Sequence, residues 1–163
     1  MTMWQLNGLF ENLHADPATT SITLKEIGKV KTHQSGVKDL AIRTTAKSLH
    51  LLTCGDDNAV ALTLVSAETP NTIEVKVLAS QPSAHFAAAV GIRWLTDSLA
   101  VSVGVDNNLA FWQLENLHDP DLRLVATKFT FVQDIAGLET IETSQGWLLL
   151  VFGVGVEIFR ITI

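Results

Sequence analysis

The stretch His33-Gln34-Ser35-Gly36-Val37-Lys38-Asp39-Leu40-Ala41-Ile42, followed by Thr53-Cys54-Gly55-Asp56-Asp57, returns further along the chain. Its second form is His85-Phe86-Ala87-Ala88-Ala89-Val90-Gly91-Ile92-Arg93-Trp94, followed by Ser102-Val103-Gly104-Val105-Asp106. In each copy apolar residues stand four, seven and nine positions after the histidine. A hydroxyl residue, a glycine two positions on and an aspartate two beyond that complete the unit. Gly55, Gly104 and Gly153 recur at an interval of 49 residues, the last in a worn third copy without the His or the Asp. A period of this length marks a repeat architecture.

Working outward, apolar and polar residues alternate with a period of two. The first unit reads as short strands near 37–42, 49–53 and 60–64, preceded by a less clean alternating segment at 22–31. The same order recurs near 73–79, 89–95, 99–104 and 109–114, and again, degraded, near 122–131, 135–141, 147–152 and 156–162. Even spacing of short strands with Gly, Asn and Asp between them predicts an all-β meander. Breaks at Glu68–Asn71 and His118–Asp121 carry Pro with Asn or Asp and read as loops between units. The third turn shrinks to Phe152-Gly153-Val154-Gly155-Val156, where two glycines suit a tighter hairpin. Trp4-Gln5-Leu6 repeats Trp112-Gln113-Leu114, so residues 1–20 read as the last strand of a preceding unit plus a linker. Three units then follow, at about 21–66, 67–116 and 117–163.

His85, Ser102, Asp106 and Trp112 are predicted to converge, as are His33, Thr53 and Asp57, with Thr63 where the tryptophan would stand. Ser, His and Asp can form a nucleophilic triad. Here the set occurs twice at matching repeat positions, without a Gly-x-Ser-x-Gly elbow, which argues against catalysis. A structural role explains more. The buried carboxylate is satisfied by the imidazole, the imidazole by the hydroxyl, and the hydroxyl by the indole N–H. The expectation is a non-enzyme with no catalytic, cofactor-binding or metal-binding residues. His50 and Cys54 share a strand face but lack further ligands for a metal. Asp134, Glu139 and Glu142 read as a solvated rim, Trp94 and Trp147 as core, and Lys25, Lys29 and Lys31 as a solvated strand face.

The composition agrees. Hydrophobic residues make up 47% of 163, enough for a packed core, and the net charge is −6. Eleven scattered Lys and Arg give no basic face for gripping nucleic acid alone. One cysteine permits no internal disulfide. The start lacks signal-peptide form, and the longest apolar stretch, about ten residues at 147–156, is too short to span a bilayer. The expectation is a soluble cytoplasmic protein with no membrane partner.

The pattern His-x3-[VA]-x2-[LI]-x-[IW], then [ST]-x-Gly-x-Asp, then a strand ending in Phe111-Trp112, resembles the WD-repeat family. The resemblance implies a β-propeller fragment of about three four-stranded blades. It maps the family's structural network onto His33, Thr53, Asp57, His85, Ser102, Asp106 and Trp112. Thr32 and Ala84 replace the usual glycine before the histidine, and Thr63 and Phe159 replace the closing tryptophan. Strings such as THQSGVKDLAIRT, SAHFAAAVGIRWL and VSVGVDNNLAFWQLENL are similar to the C-terminal end of one member of that family. That member is implied to be the non-catalytic partner of an FtsJ-type tRNA methyltransferase, which methylates the ribose 2′-hydroxyl of the wobble nucleotide. S-adenosylmethionine would belong to the enzyme subunit, and tRNA would be met only as part of the complex. The alternative is a generic WD-repeat interaction adaptor in another complex. Three blades do not close a ring, so the expectation is a piece of a longer protein, or a truncated gene model, with exposed apolar flanks that self-associate.

Overall fold

Alternation rich in Val, Ile, Leu and Thr places side chains on opposite faces of extended backbone, and turn residues break it into strands. The computed structural model describes residues 24, 26, 28–46, 48–69, 72–115 and 120–162. Every regular element among them is a strand: β1 (Val37–Thr44), β2 (Ser48–Gly55), β3 (Val60–Thr69), β4 (Thr72–Gln81), β5 (Ala89–Trp94), β6 (Leu99–Gly104), β7 (Asn108–Glu115), β8 (Asp121–Phe129), β9 (Gln133–Thr143) and β10 (Gly146–Ile161). They form three antiparallel sheets, ordered β1-β2-β3-β4, β5-β6-β7-β8 and β9-β10. The described fold is all-β, as expected, with two four-stranded antiparallel sheets and a third built from β9 and β10.

The element β10 folds back on itself. A straight strand of sixteen residues would hold its ends about 50 Å apart. Instead Arg160 donates to the Gln145 side chain at 2.6 Å, and a Cβ on Gly146 would stand 2.5 Å from the Ile161 carbonyl oxygen. Gly155, with φ +109°, supplies the left-handed residue of the reversal. The third sheet is therefore built from β9 and the two arms of β10.

The sheets are offset by one strand from the expected units. β4 was assigned to the unit 67–116 but pairs with β3, from Val60↔Gln81 to Thr69↔Thr72. Likewise β8 pairs with β7 and belongs to the second sheet, outside the unit 117–163. The strands on either side of the expected break at 68–71 thus belong to one sheet. The segment 22–31 is not a strand at its described residues 24, 26 and 28–31. The expected strand within 1–20 lies outside the described residues.

Local irregularities repeat as well. The β1–β2 register shifts between Val37 and Asp39, and the β5–β6 register between Ala89 and Gly91. Such bulges bend the strand at its start and re-aim the side chains that follow. Gly91 has no room for a Cβ, which would lie 2.9 Å from the Leu138 backbone nitrogen. The third sheet packs tightly against the second there.

Two apolar layers hold the sheets face to face. Leu52, Cys54, Val60 and Leu62 meet Ala89, Ile92, Ala110 and Trp112 between the first and second sheets. Val101, Val103 and Leu109 meet Leu138, Leu149 and Val151 between the second and third. Trp94 and Trp147 are partly buried against these layers, close to their expected core placement. The two outer faces carry exposed apolar side chains: Leu40 and Ile42 on the first sheet, and Ile141, Phe152, Val156 and Ile158 on the third. Among the described residues no helix is long and apolar enough to cross a membrane.

Candidate functional site

At one end of the stack, the loop leading into each sheet is tied to a carboxylate near the turn between the second and third strands. In the second sheet His85 sits in that loop, Ser102 on β6, Asp106 in the turn and Trp112 on β7. His85 Nδ1 lies 3.2 Å from Asp106 Oδ1, and Nε2 lies 2.7 Å from Ser102 Oγ. A carboxylate only accepts, so Nδ1 carries the proton and Nε2 accepts from the serine hydroxyl. Trp112 Nε1–H donates to the same Oγ at 2.8 Å. The other carboxylate oxygen accepts the Phe86 backbone N–H at 2.8 Å, and Oδ1 also accepts that of Asn108 at 3.1 Å.

Electrostatics follow from these bonds. Burial pushes the His85 imidazole below its ordinary range, against the opposing pull of Asp106. Burial by itself would raise the Asp106 carboxyl, but the Phe86 and Asn108 N–H groups and His85 outweigh it and leave it depressed.

The first sheet repeats the arrangement. His33 Nδ1 lies 2.8 Å from Asp57 Oδ1 and Nε2 lies 2.9 Å from Thr53 Oγ1. Gln34 N–H donates to Asp57 Oδ2 at 2.6 Å. Asp57 is depressed in the same way: burial opposes, and His33, Gln34 and Ala59 prevail. Thr63 occupies the tryptophan position, and its buried Oγ1 has no hydrogen-bond partner. All seven network residues read from the repeat are therefore brought together, four in one cluster and three in the other.

The third sheet holds a substitute that the sequence reading missed. Thr130 takes the place of the histidine and Glu157 that of the aspartate. Thr130 Oγ1 donates to Glu157 Oε2 at 2.6 Å, and the Phe131 backbone N–H donates to the same oxygen at 3.0 Å. The Thr130 hydroxyl and the Phe131 N–H hold the Glu157 carboxyl below its usual range. The signal was present as an acid on the strand after the tight turn, but it falls 27 residues after Thr130, against 24 and 21 in the other pairs.

A second cluster ties the first strands of the three sheets. Asp39 on β1 accepts from Arg93 Nη1 and, at 3.1 Å, from the Ile92 N–H of β5. Arg93 in turn donates to Glu139 of β9 through Nε at 3.1 Å and Nη2 at 3.3 Å. Glu139 is thus an ion-pair partner spanning two sheets, a correction to its reading as a solvated rim. Its Arg93 bonds hold its carboxyl below the usual range, against burial.

The remaining candidates stay apart. His50 and Cys54 are both buried, His50 Nδ1 has no partner, and burial with nearby Asp39 pushes the Cys54 thiol up to about 12. No group of three or more metal-ligating side chains occurs among the described residues. At the opposite end of the stack a cavity of about 460 Å³ is lined by Ile42, Arg43, Trp94, Asp97, Glu142 and Trp147. The Arg43 guanidinium lies over the Trp94 ring, 4.5 Å from its centroid.

Chemically, the repeated clusters are closed. Ser102 is fully buried and the His33 and His85 side chains are at most 1% exposed. Ser102 Oγ already accepts an indole N–H, so its lone pairs are not presented to a substrate. What the clusters present to solvent is the loop residue after each His or Thr: Gln34, Phe86 and Phe131.

No protein-family profile matches the sequence, and no curated protein matches it. Among solved structures the chain is similar to the WD40 β-propeller domain of Doa1, at 16% identity and a TM-score of 0.42. The likeness covers 80% of this chain and 52% of that one, so this chain spans about half the length of that domain.

Proposed function

We propose that this chain is a non-catalytic WD-repeat scaffold whose clamped loops engage another protein. The observation that carries this reading is the recurrence of one buried polar cluster, in which the catalytic-looking side chains are consumed internally while the adjoining loop residue faces outward. Rigid sheets with outward loops suit binding.

The more specific reading is that of a regulatory subunit resembling WD-repeat protein 6, which would position an FtsJ-type methyltransferase for 2′-O-methylation of the tRNA wobble nucleotide. The sequence strings quoted above support it, and the acidic balance suits contact with a basic enzyme rather than independent tRNA binding. A cytoplasmic site of action belongs to this reading. Copurification of the chain with an FtsJ-type enzyme, together with loss of wobble ribose methylation when its gene is deleted, is the expected result. Normal methylation in the deletion strain would sink it in favour of an adaptor in another complex.

A further inference from the structure

At each boundary between sheets the chain leaves a strand behind. β4 runs into the loop of the second sheet yet pairs with β3 of the first, and β8 runs into the loop of the third yet pairs with β7 of the second. The residue opening the next loop is then bonded backwards. The His85 N–H donates to the Asn58 carbonyl at 3.1 Å, and the Thr130 N–H to the Asn107 carbonyl at 2.9 Å. Asn58 and Asn107 have positive φ, 65° and 61°, and Gly155, with φ +109°, holds that place in the third sheet. Each sheet is thus joined to the next by a fourth strand, one backbone bond and an apolar layer.

The two ends of the stack carry the unmatched halves of this joint. On the third sheet, the second arm of β10, residues 156–161, has no further strand beside it among the described residues. The space beside Gly155 is open, with nothing within 4 Å of an added Cβ. Val156 and Ile158 are exposed on the outer face of that sheet. On the first sheet, the segment 22–31 stands immediately before the His33 loop, as β4 and β8 stand before theirs. Its residues alternate as a strand requires: Ile22, Leu24 and Val30 on one side, Lys25, Lys29 and Lys31 on the other. Its described residues form no strand within their own copy, and Leu24 is 93% exposed. Among the described residues the His33 N–H meets no carbonyl like those that receive His85 and Thr130.

We infer that a second copy of this chain makes the joint. Its segment 22–31 pairs with residues 156–161 as the fourth strand of the third sheet, its His33 N–H donates to the Gly155 carbonyl, and its Leu40 and Ile42 cover Val156 and Ile158. Strand addition to an open edge is an established mode of recognition. The required occupant is an alternating strand, then a loop with an available N–H, then a sheet with an apolar outer face, and this chain presents those three in that order. One copy does not satisfy itself. His33 is fixed to Asp57 and Thr53 of the first sheet, and the second sheet stands between it and Gly155.

The joint is head to tail, so it either closes a ring or propagates without limit. Two copies of three sheets make six. Propellers close at roughly four to eight, so assembly stops at a pair in which both joints are made. The inference goes beyond the scaffold reading and does not depend on the identity of its partner.

Sedimentation equilibrium of the full chain should return a dimer. With benzoylphenylalanine at position 30 and a mixture of isotope-labelled and unlabelled chains, photo-crosslinks should join position 30 of one copy to residues 154–161 of the other. Glu26→Pro with Ile27→Pro removes two consecutive N–H donors, one of which faces the ladder in either register, and should raise the dissociation constant at least tenfold. Ile158→Lys should do the same, with the strand content of the circular dichroism spectrum unchanged in both variants. A monomer, an open series of larger oligomers, a foreign protein in place of the second copy, crosslinks confined to one copy, or a dimer indifferent to the proline pair would each overturn the inference. Failure to copurify an FtsJ-type enzyme leaves the dimer standing and sinks only the specific functional reading.

Discussion

Thr130 donates its hydroxyl to Glu157 at 2.6 Å, at the place in the third sheet where His33 meets Asp57 and His85 meets Asp106. The third cluster is smaller. It contains no imidazole, and one carboxylate oxygen serves both the hydroxyl and the Phe131 N–H. What persists in all three sheets is a carboxylate accepting the backbone N–H of the loop residue that follows.

Loss of that carboxylate should be most costly in the second sheet, where the cluster is longest. Asp106→Ala leaves the Nδ1 of buried His85 and the Phe86 and Asn108 N–H groups without their acceptor. The expected loss is roughly 2–4 kcal/mol, read as a fall of roughly 4–16 °C in melting temperature. Asp57→Ala should cost less, because Thr53 has no indole donor to disrupt. Equal melting temperatures for wild type and D106A would remove the energetic role of the cluster.

Thr63 offers the opposite sign. Its hydroxyl is buried and unpartnered at the position that Trp112 fills in the next sheet. Thr63→Val keeps the shape and removes the orphaned group, and should stabilise by about 1 kcal/mol. A thermal melt that moves downward would show that the hydroxyl finds a partner in solution.

Stability should fall with acid in two stages. The His85 pKa is lowered, so the folded state favours neutral imidazole; this contribution is complete above its ordinary value near 6.5 and is lost as pH falls below it. Asp57, Asp106 and Glu157 are also depressed, so their contribution is complete above about pH 4–4.5 and is lost below that. Denaturant midpoints between pH 7 and pH 3 should decline throughout, with His85→Gln flattening only the upper stage. A midpoint that rises on acidification from pH 7 to pH 5 would contradict the assigned neutral imidazole.

Arg93 joins three sheets, so its removal should loosen their stacking. Arg93→Met keeps the aliphatic stem but leaves Asp39 and Glu139 without their cation. Both carboxylates retain some access to water, so the expected cost is modest, about 1–2 kcal/mol. A double-mutant cycle with Glu139→Gln should return a coupling near 0.5–1 kcal/mol; zero coupling would mean the pair is not formed in solution.

Cys54 should be chemically silent. It is fully buried, and its thiol is pushed up to about 12, so the thiolate that reacts is scarce at pH 8. A chromogenic disulfide reagent should leave it unlabelled until denaturant is added. Rapid labelling of the native chain would mean that the first two sheets part readily.

The legible part of the molecule was the part encoded at short range and repeated. Both histidine clusters could be read because His, hydroxyl, Asp and Trp recur at nearly constant spacing, and a β-meander converts that spacing into adjacency. Glu157 escaped because the tighter third turn moved the acid onto the strand and changed its distance from the loop. Arg93 escaped for a different reason: Asp39 and Glu139 lie 54 and 46 residues away, on other sheets, and their meeting depends on how the sheets stack. Strand membership was shifted by one because a periodic sequence has no intrinsic starting point. The same repeat can be cut before or after β4, and only hydrogen bonding to β3 assigns that strand.

Residue order alone was enough to set an all-β chain of repeating hairpins and the two buried imidazole–carboxylate clusters, since strand alternation and turn chemistry are local. Which sheet owns each strand, the arginine bridge across three sheets, the threonine–glutamate substitute, and the two phenyl rings left in solvent were decided by tertiary packing. Those features depend on which faces meet once the sheets stack, and pairwise spacing along the chain carries no record of that.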